Sequence, residues 1–281
     1  MERLVFQKSE AIISQEGAYV VSLVLDGKQV LQGSLDNKKT HGGLSLLIPF
    51  ADLVYGAKYE FEGVEYTLPR NAGYENDFFN SIHGLTNNLN WTVKSRKDDT
   101  ITLTCKVEDK GLPSTLWAYV RYSIKSNVFK VEIGLKNTGR KNCPVMVGAH
   151  PYFISGGDWE IQGSDPLISL NNITDKEFQS GKPEISICPS NTISYDPYKK
   201  YDDSYFGGGT LFIKTNDLKM ELRRTNMPFF SVYNGKFAPN NSFSIVPITA
   251  APNSFNNKFG LKSMAPKETF RCGFVIKMLD K

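Results

Sequence analysis

Cysteine is scarce in this sequence of 281 residues, and none of the four forms a Cys-x-x-Cys pair. Cys105, Cys143, Cys188 and Cys272 are far apart along the chain. In a large chain without an export signal, cysteines spaced in this way are typical of reduced thiols. The spacing therefore predicts neither a disulfide framework nor a zinc site.

Signals for export and for membrane insertion are also missing. Residues 1–8 lack the basic segment followed by an apolar segment that characterises a signal peptide. No apolar run approaches the roughly 20 residues that a membrane-spanning helix requires. We therefore expect a cytoplasmic location and no membrane partner.

The chain has no strong excess of either charge. Its 33 basic and 29 acidic residues give a net charge of +4, and they are spread evenly along the sequence. Proteins that bind nucleic acid or anionic membranes usually concentrate Lys and Arg on one face or in one segment. The charge pattern therefore predicts no nucleic-acid partner.

The sequence also lacks the apolar periodicity of an α-helix, and it shows patterns typical of β-strands instead. No segment has an apolar period of 3.6 residues over three turns. The runs 20–25 and 28–31 flank Asp26-Gly27, which is a strong hairpin signal. Similar turns are expected at Glu62-Gly63, Ser126-Asn127 and Asn216-Asp217, and the last strand is expected over 270–278. The pattern predicts an all-β protein, an antiparallel sandwich or barrel.

Residues 158–205 are the least regular part of the sequence, with many Pro, Asn, Ser and Asp residues. Long irregular insertions in β-rich domains are usually functional or mobile. We expect this region to be a loop-rich lobe rather than a second domain. The whole chain, residues 1–281, is therefore predicted to form a single domain.

The segment 145–157 contains His150, one of only three histidines. Pro151 restricts His150 to an extended backbone, and Tyr152 and Phe153 follow it with flat apolar faces. Because histidine titrates near neutral pH, this combination suits proton transfer on a small polar ring such as a sugar. A histidine that only hydrogen-bonds a loop is the alternative.

Five motifs in order resemble those of the aldose 1-epimerases, or galactose mutarotases. They extend from residue 42 to residue 256, so the resemblance covers nearly the whole chain. The motifs are Gly42-Gly43 followed by Pro49-Phe50-Ala51-Asp52, Ile82-His83-Gly84 followed by Trp91, His150-Pro151-Tyr152-Phe153, Tyr201-Asp202-Asp203, and Val246-Pro247 followed by Pro252-Asn253 and Asn256.

This resemblance implies a large antiparallel β-sandwich of the galactose mutarotase-like type. It also implies an isomerase of hexose metabolism that interconverts the α and β anomers of a free aldose by acid–base ring opening. Both chemical steps are proton transfers, so no cofactor and no metal is expected. The expected partner is a small-molecule sugar, and the sequence leaves the oligomeric state unknown.

The resemblance also implies roles for individual residues. His150 would be the general acid at the ring oxygen, while His83, Asp202 and Asp52 would bind the substrate. Alternatives remain open, because His83 could instead bond to backbone and Asp202 could belong to an Asx-turn. The assignment requires His83, His150 and Asp202 to meet in one hollow. By contrast, His41 is expected to face solvent.

Two positions depart from the family pattern. Val246 stands where the family has its catalytic glutamate, and residues 240–266 contain no glutamate. In the first motif, Asp52 and Leu53 replace an asparagine and a sugar-contacting arginine. The catalytic base is therefore not identified.

Three hypotheses follow from this pattern. The first is a divergent epimerase whose base is Asp52, Asp202 or Asp203. The second is a sugar-binding module that has lost catalysis. The third is an epimerase for a modified or phosphorylated sugar, whose anionic group would meet one of three arginines. These arginines are Arg70, Arg223 and Arg224.

Overall fold

Antiparallel β-strands dominate the computed structural model, which describes residues 1–72, 79–171, 184–239 and 241–280. In chain order the strands are β1 Glu2–Phe6, β2 Ser9–Ile13, β3 Val20–Leu25, β4 Lys28–Gln29, β5 Leu44–Leu47, β6 Leu53–Val54, β7 Lys58–Phe61, β8 Val64–Thr67, β9 Ser81–Ile82, β10 Thr92–Lys97, β11 Thr100–Val107, β12 Leu116–Lys125, β13 Val128–Asn137, β14 Cys143–Val145, β15 Gly148–Ile154, β16 Trp159–Gly163, β17 Leu167–Asn171, β18 Glu184–Ile187, β19 Thr192–Ser194, β20 Asp202–Gly207, β21 Leu211–Thr215, β22 Lys219–Thr225, β23 Phe229–Tyr233, β24 Ser242–Ile248, β25 Lys262–Met264 and β26 Thr269–Met278.

Helical structure in the described ranges is confined to short pieces. These are the α-helix α1 Ser254–Asn257 and 3₁₀ turns at Lys39–His41, Tyr55–Ala57 and Pro189–Asn191. No helix in the part of the chain that the structure describes is long and apolar enough to cross a membrane.

Two large sheets organise these strands. The 11-stranded sheet runs β1-β2-β3-β5-β15-β24-β23-β20-β17-β18, with β4 paired to β3. The 9-stranded sheet runs β10-β11-β12-β13-β26-β22-β21-β16-β19. Three two-stranded ribbons, β14-β25, β6-β9 and β7-β8, complete the described strands. The prediction of a large antiparallel β-sandwich is confirmed.

The core lies between the two sheets. Strand β12 alternates buried with more exposed residues along its length, as expected for a sheet with one face on the core. The Tyr122 hydroxyl on β12 donates to the Ala18 carbonyl at 2.7 Å, and Trp159 stacks on Phe243 of the other sheet at 4.7 Å. Burial of each large apolar side chain contributes about 1.5–3 kcal/mol, so this layer supplies most of the driving force for folding.

The turn signals mark the local hairpins correctly. Asp26-Gly27 joins β3 to β4, Ser126-Asn127 joins β12 to β13, and Asn216-Asp217 joins β21 to β22. Each of these strand pairs is antiparallel.

The expectation of a loop-rich lobe over 158–205 is wrong for its described residues. Strands β16 to β20 fall in this region; β16 and β19 complete the 9-stranded sheet, while β17, β18 and β20 extend the 11-stranded one. These strands have three to six residues each, so Pro, Asn and Ser between them mask the pattern. Residues 172–183 of the predicted lobe lie outside the described residues.

Strand alternation gives the central strands of the 11-stranded sheet two different faces. On β15, Ala149 and Phe153 belong to the core between the sheets. Successive side chains of a strand point to opposite faces, so His150 and Tyr152 point away from that core. The face of the sheet remote from the 9-stranded sheet therefore carries the polar aromatic residues of the third motif.

Candidate functional site

A cleft of about 900 Å³ lies on this outer face of the 11-stranded sheet. Volumes of this size are typical of small-molecule sites. Strands β15, β24, β23 and β20 form its floor, and loops around residues 37–41, 82–88 and 235–237 contribute to its walls. The polar and aromatic lining residues include Asp52, His83, Asn87, His150, Tyr152, Tyr201, Asp202, Ser231, Tyr233 and Phe237.

The register of the central strands aligns the floor of the cleft. Tyr152 pairs with Ser244, Ser244 pairs with Tyr233, and Tyr233 pairs with Asp202. These pairs form one row across four neighbouring strands. Strand pairing thus brings together residues that are up to 92 positions apart in sequence, counted from 152 to 244.

A second row contains His150 and Val246. Strands β15 and β24 pair at Gly148 with Ile248 and at Tyr152 with Ser244. His150 and Val246 are each two residues from both pairs, so they lie side by side. Val246 lines the cleft with an apolar side chain, and it therefore supplies no proton acceptor next to the histidine.

His150 is almost completely buried, with 4% of its surface exposed. Its Nδ1 lies 2.9 Å from the Ser244 hydroxyl, and its ring stacks on Tyr152 at 4.7 Å. Burial, and then the positive charges that His83 and His41 would carry, hold the pKa of His150 well below its ordinary value. The ring is therefore neutral at physiological pH.

His83 is close to His150 through its ring and close to Asp52 through its backbone. The two imidazole rings are 5.2 Å apart and nearly perpendicular. The His83 amide donates to the Asp52 carbonyl at 3.0 Å. Burial, followed by the charge of His41, lowers the pKa of His83 to about 4, so this imidazole is also neutral. Both His83 and Asp52 have left-handed backbones, with φ of 58° and 55°, a conformation that His and Asp adopt more often than most residues.

Asp52 presents a carboxyl group to the cleft. Burial raises its pKa to about 7, and the charge of Asp202 acts in the same direction. The amide of Leu53, which donates to Oδ1 at 2.8 Å, opposes the shift. About half of the Asp52 carboxyls therefore carry a proton at neutral pH.

The two aspartates of the fourth motif have different surroundings. Asp202 lines the cleft, and desolvation by the cleft walls, followed by the charge of Asp203, raises its pKa. Asp203 instead pairs with Lys199 at 2.5 Å and does not line the cleft. Of the three sequence candidates for the base, Asp52 and Asp202 remain in position.

The His41 side chain lines the cleft and is only 13% exposed, so the expectation that it faces solvent is wrong. Its ring stacks on Phe237 at 4.5 Å, and its Nδ1 lies 2.7 Å from the Asp36 carboxylate. Tyr233 and Asn87 are further lining residues that sequence reasoning missed. No motif marks them, because strand pairing and loop packing bring them to the cleft.

The three arginines considered for an anionic substrate lie elsewhere. Arg224 donates to the carbonyls of Gly207 and Gly209, and Arg223 pairs with Glu221. Arg70 lies 6.0 Å from the centroid of the Phe79 ring. Among described residues, the basic side chains at the cleft other than histidine belong to Lys38, Lys39, Lys200 and Lys236.

The groups that the cleft presents suit proton transfer and hydrogen bonding. They are the imidazoles of His41, His83 and His150, two carboxyls of raised pKa, and aromatic rings. Within the described ranges, no group of three or more His, Cys, Asp or Glu residues is arranged to hold a metal ion.

Comparison with known proteins agrees with this architecture. Two solved structures match at TM-scores of 0.82 and 0.73: a galactose mutarotase-like protein from Lactobacillus casei ATCC 334 and a galactose 1-epimerase from Lactobacillus acidophilus NCFM. The mutarotase-like protein is 15% identical, and the match covers 99% of this chain and 100% of that protein. The galactose 1-epimerase is 17% identical, and the match covers 97% of this chain and 91% of that protein. At such identities the likeness shows the fold alone.

Sequence comparison identifies the family of the chain. The uncharacterized protein YihR of Escherichia coli K12 is 33% identical over 109 residues, which are 38% of this chain and 34% of that protein. The match thus spans about a third of YihR's length. A family model described as aldose 1-epimerase matches residues 4–277, nearly the whole chain. With the β-sandwich and the five ordered motifs, this match shows that the chain belongs to the aldose 1-epimerase family.

Proposed function

We propose that the protein interconverts the α and β anomers of a free aldose in this cleft. The observation that carries the proposal is the convergence of His150, Asp52 and Asp202 at one cleft of a family fold. Ring opening needs one group to take a proton from the anomeric hydroxyl and another to give a proton to the ring oxygen. An imidazole and a carboxyl of raised pKa are suited to both transfers near neutral pH.

The remaining groups suit sugar binding. Asp202 offers a carboxylate that accepts hydrogen bonds from two neighbouring hydroxyls. Tyr152 and Tyr233 offer rings with polar ends, which suit a sugar that has both apolar C–H faces and hydroxyl edges. In this proposal, His83 donates or accepts a hydrogen bond at the sugar without transferring its proton.

The test is anomer exchange followed by NMR with D-glucose and D-galactose. We expect the protein to accelerate exchange above the buffer rate, and a His150→Gln variant to lose about 10²- to 10⁴-fold of that acceleration. Asp217→Asn is the matched control, since that exposed carboxyl lies in the turn between β21 and β22, outside the cleft. An unaccelerated rate with either sugar, at protein concentrations where the sugar binds, would contradict the proposal.

A specific observation supports a second candidate, a binding module without catalysis. Val246, at the position of the family's glutamate, is an apolar residue beside His150. In that case saturable sugar binding occurs without exchange, and Val246→Glu creates exchange that His150→Ala then abolishes. Val246→Gln matches the size of the glutamate without its charge and serves as control.

A further inference from the structure

The hydrogen bonds of Ser244 determine which nitrogen of His150 carries the proton. The Ser244 hydroxyl has one hydrogen and lies 2.7 Å from the Pro151 carbonyl, which only accepts. That hydrogen must therefore point to the carbonyl, since two acceptors at this distance would repel each other. His150 Nδ1, 2.9 Å from the same hydroxyl, must donate to it. In the neutral ring, Nδ1 carries the hydrogen and Nε2 keeps its lone pair.

The surroundings of His150 favour this neutral, proton-accepting form. The ring is buried, and the ring of His83 lies 5.2 Å away. Val246, the neighbour across the strand pair, has no negative charge to stabilise an imidazolium. These surroundings favour an unprotonated Nε2, which can act as a base when the reaction begins.

Asp52 has the opposite character. Its carboxyl lies in a partly buried position of the cleft wall, where the charge of Asp202 disfavours a second anion. The adjacent residue is Leu53, so no cation next to it in sequence compensates a carboxylate. These conditions favour the protonated carboxylic acid over the carboxylate, and the pKa of about 7, well above the ordinary value, agrees with them.

From this geometry we propose that the acid and base roles are exchanged relative to those that the family resemblance implies. His150 Nε2 is the general base at the anomeric hydroxyl, and the Asp52 carboxylic acid is the general acid at the ring oxygen. This assignment rests on the proposed anomer exchange. It explains how a cleft with valine at the position of the usual glutamate retains a complete acid–base pair.

The proton balance closes over one cycle. In ring opening, the anomeric O–H proton moves to Nε2, a C1=O1 double bond forms, and the C1–O5 bond breaks. The electron pair of that bond goes to O5, which takes the proton of Asp52. After rotation about C1–C2, the O5 hydroxyl attacks the other face of C1 and returns its proton to Asp52, while the imidazolium returns its proton to O1.

The two roles can be separated with a substrate whose ring atom needs less help from an acid. In 5-thio-D-glucose the ring atom is sulfur, and a thiolate leaves more readily than an alkoxide because a thiol is far more acidic. We expect Asp52→Asn to lower the acceleration of D-glucose exchange by about 10²- to 10⁴-fold. With the 5-thio sugar, this loss should be at least tenfold smaller. His150→Gln should lower the acceleration of exchange by a similar factor with both sugars.

Rescue of the His150→Gln variant by 5-thio-D-glucose, or rescue of neither variant, would overturn the assignment. Asp217→Asn is again the matched control, and its rates should equal those of the wild type with both sugars. If the wild type accelerates exchange of no aldose at all, the proposed function fails, and the protonation states from which the assignment is argued are tested separately by a measurement that needs no turnover.

That measurement is NMR of the free protein labelled with ¹⁵N-histidine and ¹³C-aspartate. We expect His150 to show a bare Nε2 and a protonated Nδ1 at pH 6, and the Asp52 carboxyl to titrate with a midpoint near 7. An imidazolium at His150 together with a carboxylate at Asp52 would overturn the assignment. His150→Gln and Asp52→Asn identify the signals. The other titratable or charged groups that line the cleft around the pair are Lys38, Lys39, His41, His83, Tyr152, Lys200, Tyr201, Asp202, Tyr233 and Lys236.

Discussion

Asp52 and Leu53 change the electrostatics of the cleft together. The resemblance noted in the sequence implies an amide and a cation at these two positions, where this chain has a carboxyl and an apolar side chain. Both changes act in the same direction, because the first adds a group that can ionise and the second removes the charge that would stabilise its anion. A raised pKa at Asp52 is the expected result of this pair of replacements.

The raised pKa makes a prediction about stability. The pKa of Asp52 is about 7 in the folded chain against an ordinary 3.8, so ionisation costs the folded state increasingly as the pH rises from about 4 to 7. Asp52→Asn removes this cost. Relative to the wild type, Asp52→Asn should therefore gain free energy of unfolding, and this gain should be about 1–2 kcal/mol larger at pH 8 than at pH 5. Water in the cleft screens the carboxyl and keeps this difference below the value that the pKa shift alone would give.

Urea denaturation at the two pH values measures this difference. Asp217→Asn is a suitable control, because Asp217 is exposed in the turn between β21 and β22 and does not line the cleft. An Asp52→Asn effect that does not depend on pH would show that the folded chain does not resist ionisation of this carboxyl.

Individual site residues were predictable to the extent that local sequence marks them. His83, His150 and Asp202 stand in recognisable motifs, and the structure brings all three to one cleft. His41, Asn87 and Tyr233 carry no such mark. His41 reaches the cleft because it stacks on Phe237, nearly 200 residues away in sequence, and no local pattern encodes that contact.

Among the structural elements, the turn after β9 carries His83 into the site. His83 and Gly84 both have left-handed backbones, and Gly84 has a φ of 79°. A Cβ atom on Gly84 would lie 2.4 Å from the Ile48 carbonyl oxygen. The turn therefore fits closely against the segment that leads to Asp52, and it orients His83 toward His150.

Gly84→Ala is expected to destabilise the protein and to weaken sugar binding. The left-handed conformation costs about 1–2 kcal/mol for a residue with a Cβ, and the clash with Ile48 adds to it. We expect about 2–4 kcal/mol lower stability and at least tenfold weaker sugar binding, measured by denaturation and titration calorimetry.

Gly63→Ala is the matched control for this prediction. Gly63 has a φ of 76° in the turn between β7 and β8, but a Cβ there meets no atom within 4 Å. It should lose only about 1–2 kcal/mol of stability and keep normal sugar affinity. Equal effects of the two variants on binding would contradict a positioning role for the His83–Gly84 turn.

The elements differ in how well sequence predicts them. The hairpin β12-β13 has a turn signal between two strands of ten residues each, so local sequence is sufficient. Strands β16 to β20 are short, and their polar connections hide them. Pairing with distant partners stabilises their strand conformation, and the pairing of β20 with β23 is an example. For such strands, tertiary context outweighs local preference.

For the whole molecule, the hydrophobic core suggests a single cooperative unit. One cluster of buried residues includes residues of both large sheets, from Leu4 near the start to Met278 near the end. We propose that residues 1–281 form one domain. Differential scanning calorimetry should then give a single thermal transition whose calorimetric and van't Hoff enthalpies agree. Two separable transitions would contradict the proposal.

Fold class was predictable at this scale, but the order of strands was not. Strand and turn patterns indicate an antiparallel β protein, and the ordered motifs indicate its family. Pairs such as β13 with β26, or β15 with β24, join strands about 90 to 140 residues apart. Nothing local specifies such partners, because their register is set by packing in the complete core.

The rows of paired residues under the cleft have a consequence for refolding. A slip of two residues between β15 and β24 would keep every side chain on its original face, so hydrophobic patterning alone would not reject it. It would nevertheless shift His150 by about 7 Å relative to Ser244 and Tyr233. Such material would keep a β-rich circular dichroism spectrum although His150 no longer met Ser244, so the proposed anomer exchange would be a more sensitive criterion of correct strand pairing than spectroscopy.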